Sequence, residues 1–433
     1  MSESPSVPNN KPGVARSDLS FPVVGLGASA GGIEALKTFF SNMPAKPGMA
    51  FVVVVHLSPD HESILDRILQ ACTELPVKQV TKPVPILRDH VYVIPPAASL
   101  SMNDGYLRIS PGASRPEGRQ IAIDEFFRTL ADVHTNRAVG IVLSGGGSDG
   151  SVGLSRIKEQ GGVTFAQLPE EAEHGTMPRN AISTGMVDIV LPVSTMPQRL
   201  KQIAENMGSI HLPPLTEAEA SGAADAEQAT DGAQQERNAL RDILALLRAR
   251  TAHDFRHYKK ATVLRRIERR MQVTGVSTLP EYGKLLQERI DETPKLLSDM
   301  LIGVTQFFRD KEAFANLDEF VLPKLLKSLS TTPDVALRAW VAGCSTGEEA
   351  YSLAMLMSAQ ADALPHPPKI QLFATDIDET ALAVGRAAAY PMAIKGDVPE
   401  AMLQSFFSEQ DNEYCVKKEI RERVLFAVHK VGS

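Results

Sequence analysis

The chain has 433 residues, long enough for two or three domains with cores of their own, and its 43% hydrophobic and 22% charged content is ordinary for a soluble globular protein. A formal net charge of −7 removes any global electrostatic case for nucleic-acid binding. The three cysteines, Cys72, Cys344 and Cys415, stand far apart and in no metal-ligand spacing, which argues against a disulfide framework or a metal site and for free thiols in a reducing compartment.

Residues 1–20 are polar and rich in Pro, Ser and Asn, so a disordered tail is expected there and no secretory signal is visible. The longest apolar runs, such as "AFVVVV" (50–55), are far too short to span a membrane. A cytoplasmic protein with no membrane insertion is expected. From Phe21 to Met207, β-rich runs ("PVVGLG", "FVVVVHL", "HVYVIPP", "AVGIVLSG", "GVTFAQ", "VDIVLPV") alternate with helix-like segments. That alternation predicts an α/β domain, doubly wound around a mostly parallel sheet, over 21–207.

The first strand runs into "FPVVGLGASAGGIEAL" (21–36), which admits two readings. Gly25-x-Gly27-x-x-Ala30 approximates a dinucleotide-binding turn, whereas Gly27-Ala28-Ser29-Ala30-Gly31 approximates a nucleophile elbow. A dinucleotide fold wants a carboxylate at the end of the next strand, to bond the ribose. Here "MAFVVVVH" ends in His56, which disfavours a nicotinamide-dependent oxidoreductase. A base beside a serine is what nucleophilic catalysis requires, because an unassisted hydroxyl is a poor nucleophile. A third strand-to-loop transition, "AVGIVLSGGGSDG", supplies Asp149, suited to orienting the imidazole. Taken singly, Ser29 would cap the following helix, His56 would be structural, and Asp149 would cap "SVGLSRIKEQ". Three such residues at carboxyl edges of one sheet favour a triad. Its chain order, Ser, His, Asp, differs from the Ser, Asp, His of the α/β-hydrolases.

Residues 208–236 are expected to form a linker, and 212–236 contain no Lys or Arg. Helical patterns then fill 237–332, a helical subdomain, and strands return in a partial Rossmann-like α/β domain over 333–433. "LRAWVAGCSTGEEAYSLAM" (337–355) is strand, turn and helix, but its loop carries Glu348 and Glu349 where a phosphate would want bare amides. The next strand, "IQLFATDID", ends in Asp376. These carboxylates suit a cationic nucleoside such as S-adenosylmethionine, or they merely favour a helix N-terminus; the residues alone leave the two level. The helix "FRHYKKATVLRRIERRM" (255–271) holds seven Lys/Arg against one Glu. With no interleaved aromatics or binding motif, nucleic acid is not its expected partner.

With "GASAGG", "VHLSPD", "LSGGGSDG" and "HGTMPRNAI" (174–182), residues 21–207 resemble the catalytic domain of the chemotaxis protein-glutamate methylesterases. The resemblance implies Ser29 as nucleophile, His56 as base and Asp149 as orienting acid, acting on glutamyl γ-methyl esters of a methyl-accepting receptor without a cofactor. This chain has Gly146 where the family usually has Met. Twenty tail residues cannot form the receiver domain that the stand-alone esterases carry. Residues 238–430 resemble the chemotaxis receptor methyltransferases through "IGVTQFFRD" (302–310), "GCSTGEEAYS" (343–352) and "FATDID" (373–378). That resemblance implies S-adenosylmethionine contacts from Thr305, Arg309, Glu349 and Asp376, with Gly303 where Asn is usual, and a basic helix meeting an acidic receptor helix. The resembled enzymes continue past "VLFAVH"; a sheet of only three strands predicts an exposed apolar face and edge, weak or absent cofactor binding, and a rear domain that melts early or self-associates. The leading expectation is a two-activity receptor-modifying enzyme. The alternative is a methylesterase whose rear half serves as a receptor-binding adaptor.

Overall fold

The computed structural model describes residues 16–56, 64–96, 98–111, 121–210, 212, 231–256, 258–303, 305–329, 336–362, 364–410 and 413–429. Most of the expected 1–20 tail and 208–236 linker lies outside the described residues. The chain divides into two compact units, Met1–Met300 and Leu301–Ser433, a boundary that falls inside the stretch expected as one helical subdomain.

In the first unit, β1 (Val23–Ala28), β2 (Ala50–Val55), β3 (Val77–Gln79), β5 (Val91–Val93), β8 (Ala138–Val142), β9 (Val163–Gln167) and β10 (Ile189–Leu191) build one seven-stranded sheet. Every pairing in it is parallel, in the order β10-β9-β8-β1-β2-β5-β3. A small antiparallel sheet, β4 (Val84–Pro85), β6 (Ala98–Asn103) and β7 (Tyr106–Pro111), stands apart from it. The helices packed with these strands are α1 (Gly32–Ser41), α2 (Leu65–Gln70), α3 (Ala122–His134), α4 (Ser151–Glu159), α5 (Thr176–Ser183) and α6 (Met196–Met207), and the unit continues through the helices Asp231–Thr251, Lys260–Thr274, Leu279–Glu288 and Glu292–Met300.

The central strands are buried on both faces, which is why they read as unbroken apolar runs rather than as alternation. Val24 and Leu26 of β1 join the core that holds Leu36, Phe39 and Phe40 of α1 and Met196 and Leu200 of α6. The opposite face of β1 presents Val23, Gly25 and Gly27 to α3. A Cβ on Gly27 would stand 2.4 Å from Ile123 Cγ2, and one on Gly25 2.7 Å from Phe127 Cε1. The Gly-x-Gly pair that resembled a phosphate-binding turn is therefore part of the strand, where it lets α3 lie directly on the sheet. The order of strands reverses between β1 and β8, so the cleft of an open parallel sheet is expected at the carboxyl ends of those two strands.

The basic helix, Lys260–Thr274, corrects an expectation. Arg256, Lys259 and Lys260 are exposed, but Arg266, Arg269 and Arg270 are buried and point into the first unit. Arg269 pairs with Asp188 and Asp299, and its Nε donates to Gly162 O at 3.0 Å. Arg270 makes a two-pronged pair with Glu292 at 2.8 and 2.9 Å, and Tyr282 OH donates to the same carboxylate at 2.9 Å. Lys158 of α4 reaches Asp188 at 3.2 Å. Arg266 donates to the carbonyls of Lys158 and Glu159 at the end of α4. The surrounding cations hold the Asp188 carboxyl far below the usual range, despite burial. Burial and the neighbouring Arg265 and Arg269 push Arg266 down to about 10. The arginines expected to meet an acidic receptor helix instead join this helix to the amino-terminal edge of the sheet.

In the second unit, β11 (Ala336–Ala342), β12 (Lys369–Asp376) and β16 (Val424–Val428) form a parallel sheet in the order β11-β12-β16. An antiparallel sheet of β13 (Ala389–Pro391), β15 (Glu413–Val416) and β14 (Phe407–Gln410) accompanies it, with no counterpart in the sequence reading. Leu337, Val341, Leu372 and Phe426 face a core shared with the helix Glu348–Asp362, while Trp340, Leu425 and Val428 are exposed. Among the described residues, no helix is long and apolar enough to cross a membrane.

Two predictions concern the first unit. His134 at the end of α3 is 4% exposed; one ring nitrogen is 2.9 Å from Phe21 O and the other has no partner. Burial lowers its pKa to about 4, below the ordinary 6.5. The unfolded chain then binds more protons between those values, so stability present above pH 6.5 is lost as pH falls through about 4, by up to roughly 3 kcal/mol. Urea titrations at pH 7 and pH 5 should show a smaller difference for His134→Gln than for the wild type; equal differences would discount His134. Arg269→Ala removes the guanidinium shared by the buried Asp188 and Asp299, leaving Lys158 to both and Arg270 to Asp299 at longer range, and should cost about 3 kcal/mol or more in the same assay. A loss under about 1 kcal/mol would mean that the network contributes little to stability.

Candidate active site

Ser29 follows the last residue of β1, and the register that pairs Ala28 with Val55 makes Ser29 and His56 the next neighbours across adjacent strands. Strands pair about 4.8 Å apart, so the two residues share one spot on the sheet edge. The Ser29 amide donates to Ser144 O at 2.9 Å, and the His56 amide to Ala28 O at 3.4 Å. The N-cap of α1 is Gly31, at φ 70°, and no side chain caps that helix. Ser29 is thus not used as a cap, and no described residue engages its hydroxyl.

Asp149 arrives from the glycine-rich loop after β8 and is buried. It caps a helix, but not α4 as the sequence suggested. Its Oδ2 accepts the Ile123 amide at 3.0 Å, and its Oδ1 accepts the Asp124 amide at 2.9 Å, both in the first turn of α3. The Gly150 amide adds a third bond at 2.9 Å. These amides, two of them at the amino terminus of α3, satisfy lone pairs of the buried carboxyl group. Asp149 Oδ2 also lies 2.7 Å from His56 Nε2. A carboxylate accepts only, so Nε2 carries the proton and Nδ1 presents its lone pair. The structure therefore brings His56 and Asp149 into contact and sets Ser29 at the adjoining strand end, with no Ser29–His56 hydrogen bond.

The loop between β8 and α4 is held from several sides. Ser144 N donates to Gln167 Oε1 at 2.8 Å, and Ser144 Oγ donates to Ala30 O at 2.9 Å. Gly145 N donates to His174 O and accepts, through its carbonyl, the Met177 amide, both at 2.9 Å. Asn180 Nδ2 reaches Gly147 O at 2.9 Å. Gln167, Asn180 and Ser144 were not singled out from the sequence; the signal was available in Gln167 ending a strand at the same carboxyl edge and in "HGTMPRNAI". Gly146 has open space where a Cβ would stand, so packing does not require glycine there.

The second constellation lies at the carboxyl edge of β11 and β12. Gly343, Ser345 and Gly347 all have positive φ, which turns the chain sharply into the helix Glu348–Asp362. Asp376 closes this turn: Oδ2 accepts the Ser345 amide at 2.7 Å, and Oδ1 accepts Ile377 and Asp378 amides at 2.7 and 3.0 Å. Ser345 Oγ donates to Gly303 O at 2.6 Å, drawing in the segment that carries Thr305, which is half-buried. Glu349 is exposed in the helix's first turn, and Arg309 is exposed beyond Phe308. Glu348, by contrast, bonds to Thr346 Oγ1 and is pushed up to about 7 by burial. Asp376 thus works first as a loop staple: Oδ1 is fully used by two amides, and Oδ2 keeps one lone pair. The carboxylates fit a cation and sugar hydroxyls better than a pyrophosphate. Among the described residues, no group of three or more His, Cys, Asp or Glu could hold a metal ion.

Comparison with known proteins places three family matches along the chain. Residues 24–200 match the CheB methylesterase family, 238–301 the all-alpha domain of CheR methyltransferase, and 303–433 the SAM-binding domain of CheR methyltransferase. A Rhodobacter capsulatus protein described as an uncharacterized 104.1 kDa protein in the hypE 3′ region is 36% identical over 374 residues, 84% of this chain; this chain spans only 39% of that relative's length. A putative protein-glutamate methylesterase/protein-glutamine glutaminase of Leptospira interrogans is 32% identical over 189 residues, 43% of this chain and 97% of the relative. The crystal structure of the Thermotoga maritima CheB methylesterase catalytic domain is 26% identical, with a TM-score of 0.40, over 43% of this chain and all of that one.

Proposed function

This chain belongs to the CheB methylesterase family and carries the two CheR methyltransferase domains behind it, and on that premise we propose that it is a cytoplasmic enzyme that modifies methyl-accepting chemotaxis-type receptors. Its first activity is hydrolysis of glutamyl γ-methyl esters. The observation that carries this reading is the 2.7 Å contact of His56 with an amide-clamped Asp149, at the reversal of strand order beside Ser29. Ser29 Oγ attacks the ester carbonyl while His56 Nδ1 takes its proton. The tetrahedral oxyanion meets amides at the amino end of α1. Collapse expels methanol, which receives the proton from His56. His56 then takes a proton from water as the water oxygen attacks the acyl carbonyl; collapse breaks the bond to Ser29 Oγ, which receives the proton back from His56, and glutamate is released. Asp149 keeps the imidazole in the required tautomer and opposes its transient positive charge. The Leptospira relative's name includes a glutaminase, and the same acyl-serine would follow from a glutamine side chain, with ammonia leaving.

In the methyltransferase half, Thr305, Arg309, Glu349 and Asp376 are the residues that would hold S-adenosylmethionine, which supplies an electrophilic methyl group. The carboxylates Glu349 and Asp376 offer negative charge to a sulfonium and acceptors to ribose hydroxyls. If this half binds receptor without the cofactor, it serves as an adaptor for the esterase.

Ser29→Ala should lower methanol release from a methylated receptor fragment by about a thousandfold or more, with the thermal unfolding midpoint unchanged. Asp149→Asn should lose activity on a similar scale; a turnover near that of the wild type would leave Asp149 as a helix cap alone. The hydrolysis rate should fall toward low pH, as His56 takes up a proton and loses its lone pair. For the second half, the match of residues 303–433 to a SAM-binding domain favours binding over the weak or absent binding expected from a three-stranded sheet, and calorimetry with S-adenosylmethionine should detect it, with Glu349→Gln and Asp376→Asn each weakening it about tenfold or more. A wild-type chain that hydrolyses ester but binds no cofactor supports the adaptor reading.

A further inference from the structure

A second carboxyl group lies against the first. Asp124, in the first turn of α3, is 2% exposed. Its Oδ1 accepts the Gly153 amide of α4 at 2.6 Å, and its Oδ2 is buried with no hydrogen-bond partner. Gly153 makes the approach of the helices possible, since a Cβ there would lie 2.4 Å from Phe127 Cβ and 3.2 Å from Asp124 Cα. The donors around the two carboxyls are unequal. Asp149 receives the amides of Ile123, Asp124 and Gly150 as well as His56, whereas Asp124 receives the single Gly153 amide. Two neighbouring carboxyls out of water do not both ionise, and the proton settles on the one with fewer donors.

We propose that Asp124 is a positioning residue for the esterase: a neutral carboxylic acid whose Oδ2–H is given to Asp149 and whose Oδ1 straps α4 to α3, so that the pair presents one negative charge to His56. The proposal rests on the esterase reading for its catalytic consequence and on the local geometry for its charge state. Burial and the Asp149 carboxylate both push Asp124 well above the usual carboxylate range, against the opposing influence of the Gly153 amide and of Arg128 one turn along α3. An unprotonated Oδ2 would be a buried acceptor without a donor, a costly arrangement; protonation makes it a donor, and the interacting Asp149 carboxylate is the neighbouring acceptor.

Asparagine reproduces the neutral acid, with an amide donor toward Asp149 and a carbonyl toward Gly153 N; leucine reproduces only the volume. Asp124→Asn should keep kcat on the methylated receptor fragment within about threefold of wild type and leave the acid limb of the pH–rate profile in place. Asp124→Leu should lower kcat about tenfold or more, with KM little changed. If Asp124 were ionised, Asp124→Asn would remove a charge beside the His56–Asp149 pair and move the acid limb to lower pH, which would overturn the proposal. Full activity in a folded Asp124→Leu variant would overturn the positioning role. The charge state has its own readout, independent of any activity. The infrared difference between wild type and Asp124→Asn at pH 7 should contain the carbonyl band of a protonated carboxylic acid; a carboxylate band alone refutes it, whatever the chain hydrolyses.

Discussion

Asp149 is the point on which the first site depends. Its carboxylate joins the first turn of α3, the loop after β8 and the imidazole of His56 in a single set of hydrogen bonds. A buried anion is tolerable only with such compensation, and the amino end of a helix provides it through fixed amides and a favourable field. The dependence runs both ways: α3 has no cap of its own and takes one from a residue 25 and 26 positions away in sequence. The start of α3 and the geometry of the His56–Asp149 pair therefore stand or fall together. The close packing of α3 on Gly25 and Gly27 extends the chain of cause back to the first strand, because a side chain at either glycine would lift the helix off the sheet.

The rest of the first unit can be read as support for that arrangement. A parallel sheet collects the carboxyl ends of its strands on one edge, and the reversal of strand order between β1 and β8 leaves a crevice there. The long loop that fills the crevice is rich in glycine and has little side-chain packing of its own. It is held instead by Ser144, Gln167, Asn180 and the backbone of His174. At the opposite edge, the helix Lys260–Thr274 is joined by buried ion pairs rather than by apolar contact alone. Such a network gains little over well-packed hydrophobic residues, but it makes the fit exacting: each guanidinium must find its carboxylate, since one left alone in the interior is costly.

Much of this was open to local reading. The continuous apolar runs, the turn residues between them and the chemistry-bearing side chains at their ends placed Ser29, His56 and Asp149 at one sheet edge before any coordinates. What escaped was carried by partners distant in sequence. The arginines at 266, 269 and 270 have the spacing of a solvated basic face, and only Asp188, Glu292 and Asp299 turn them inward. The strands β13, β14 and β15 are three or four residues long and mixed in polarity, too short for a period to emerge.

The sequence by itself determined the parallel α/β class of the first unit and the types of residue at its site, because hydrophobic periodicity and strand-end composition are properties of neighbouring residues. Tertiary structure decided how those residues are used. It made Gly25 and Gly27 a packing surface rather than a phosphate turn. It turned Asp149 toward α3 instead of α4, selected Nε2 of His56 as the bonded nitrogen, and set Asp124 beside Asp149. Each of these outcomes depends on which backbone amide or side chain arrives from elsewhere in the chain. Hydrogen bonds and buried charges are satisfied by position in space, which no local pattern records.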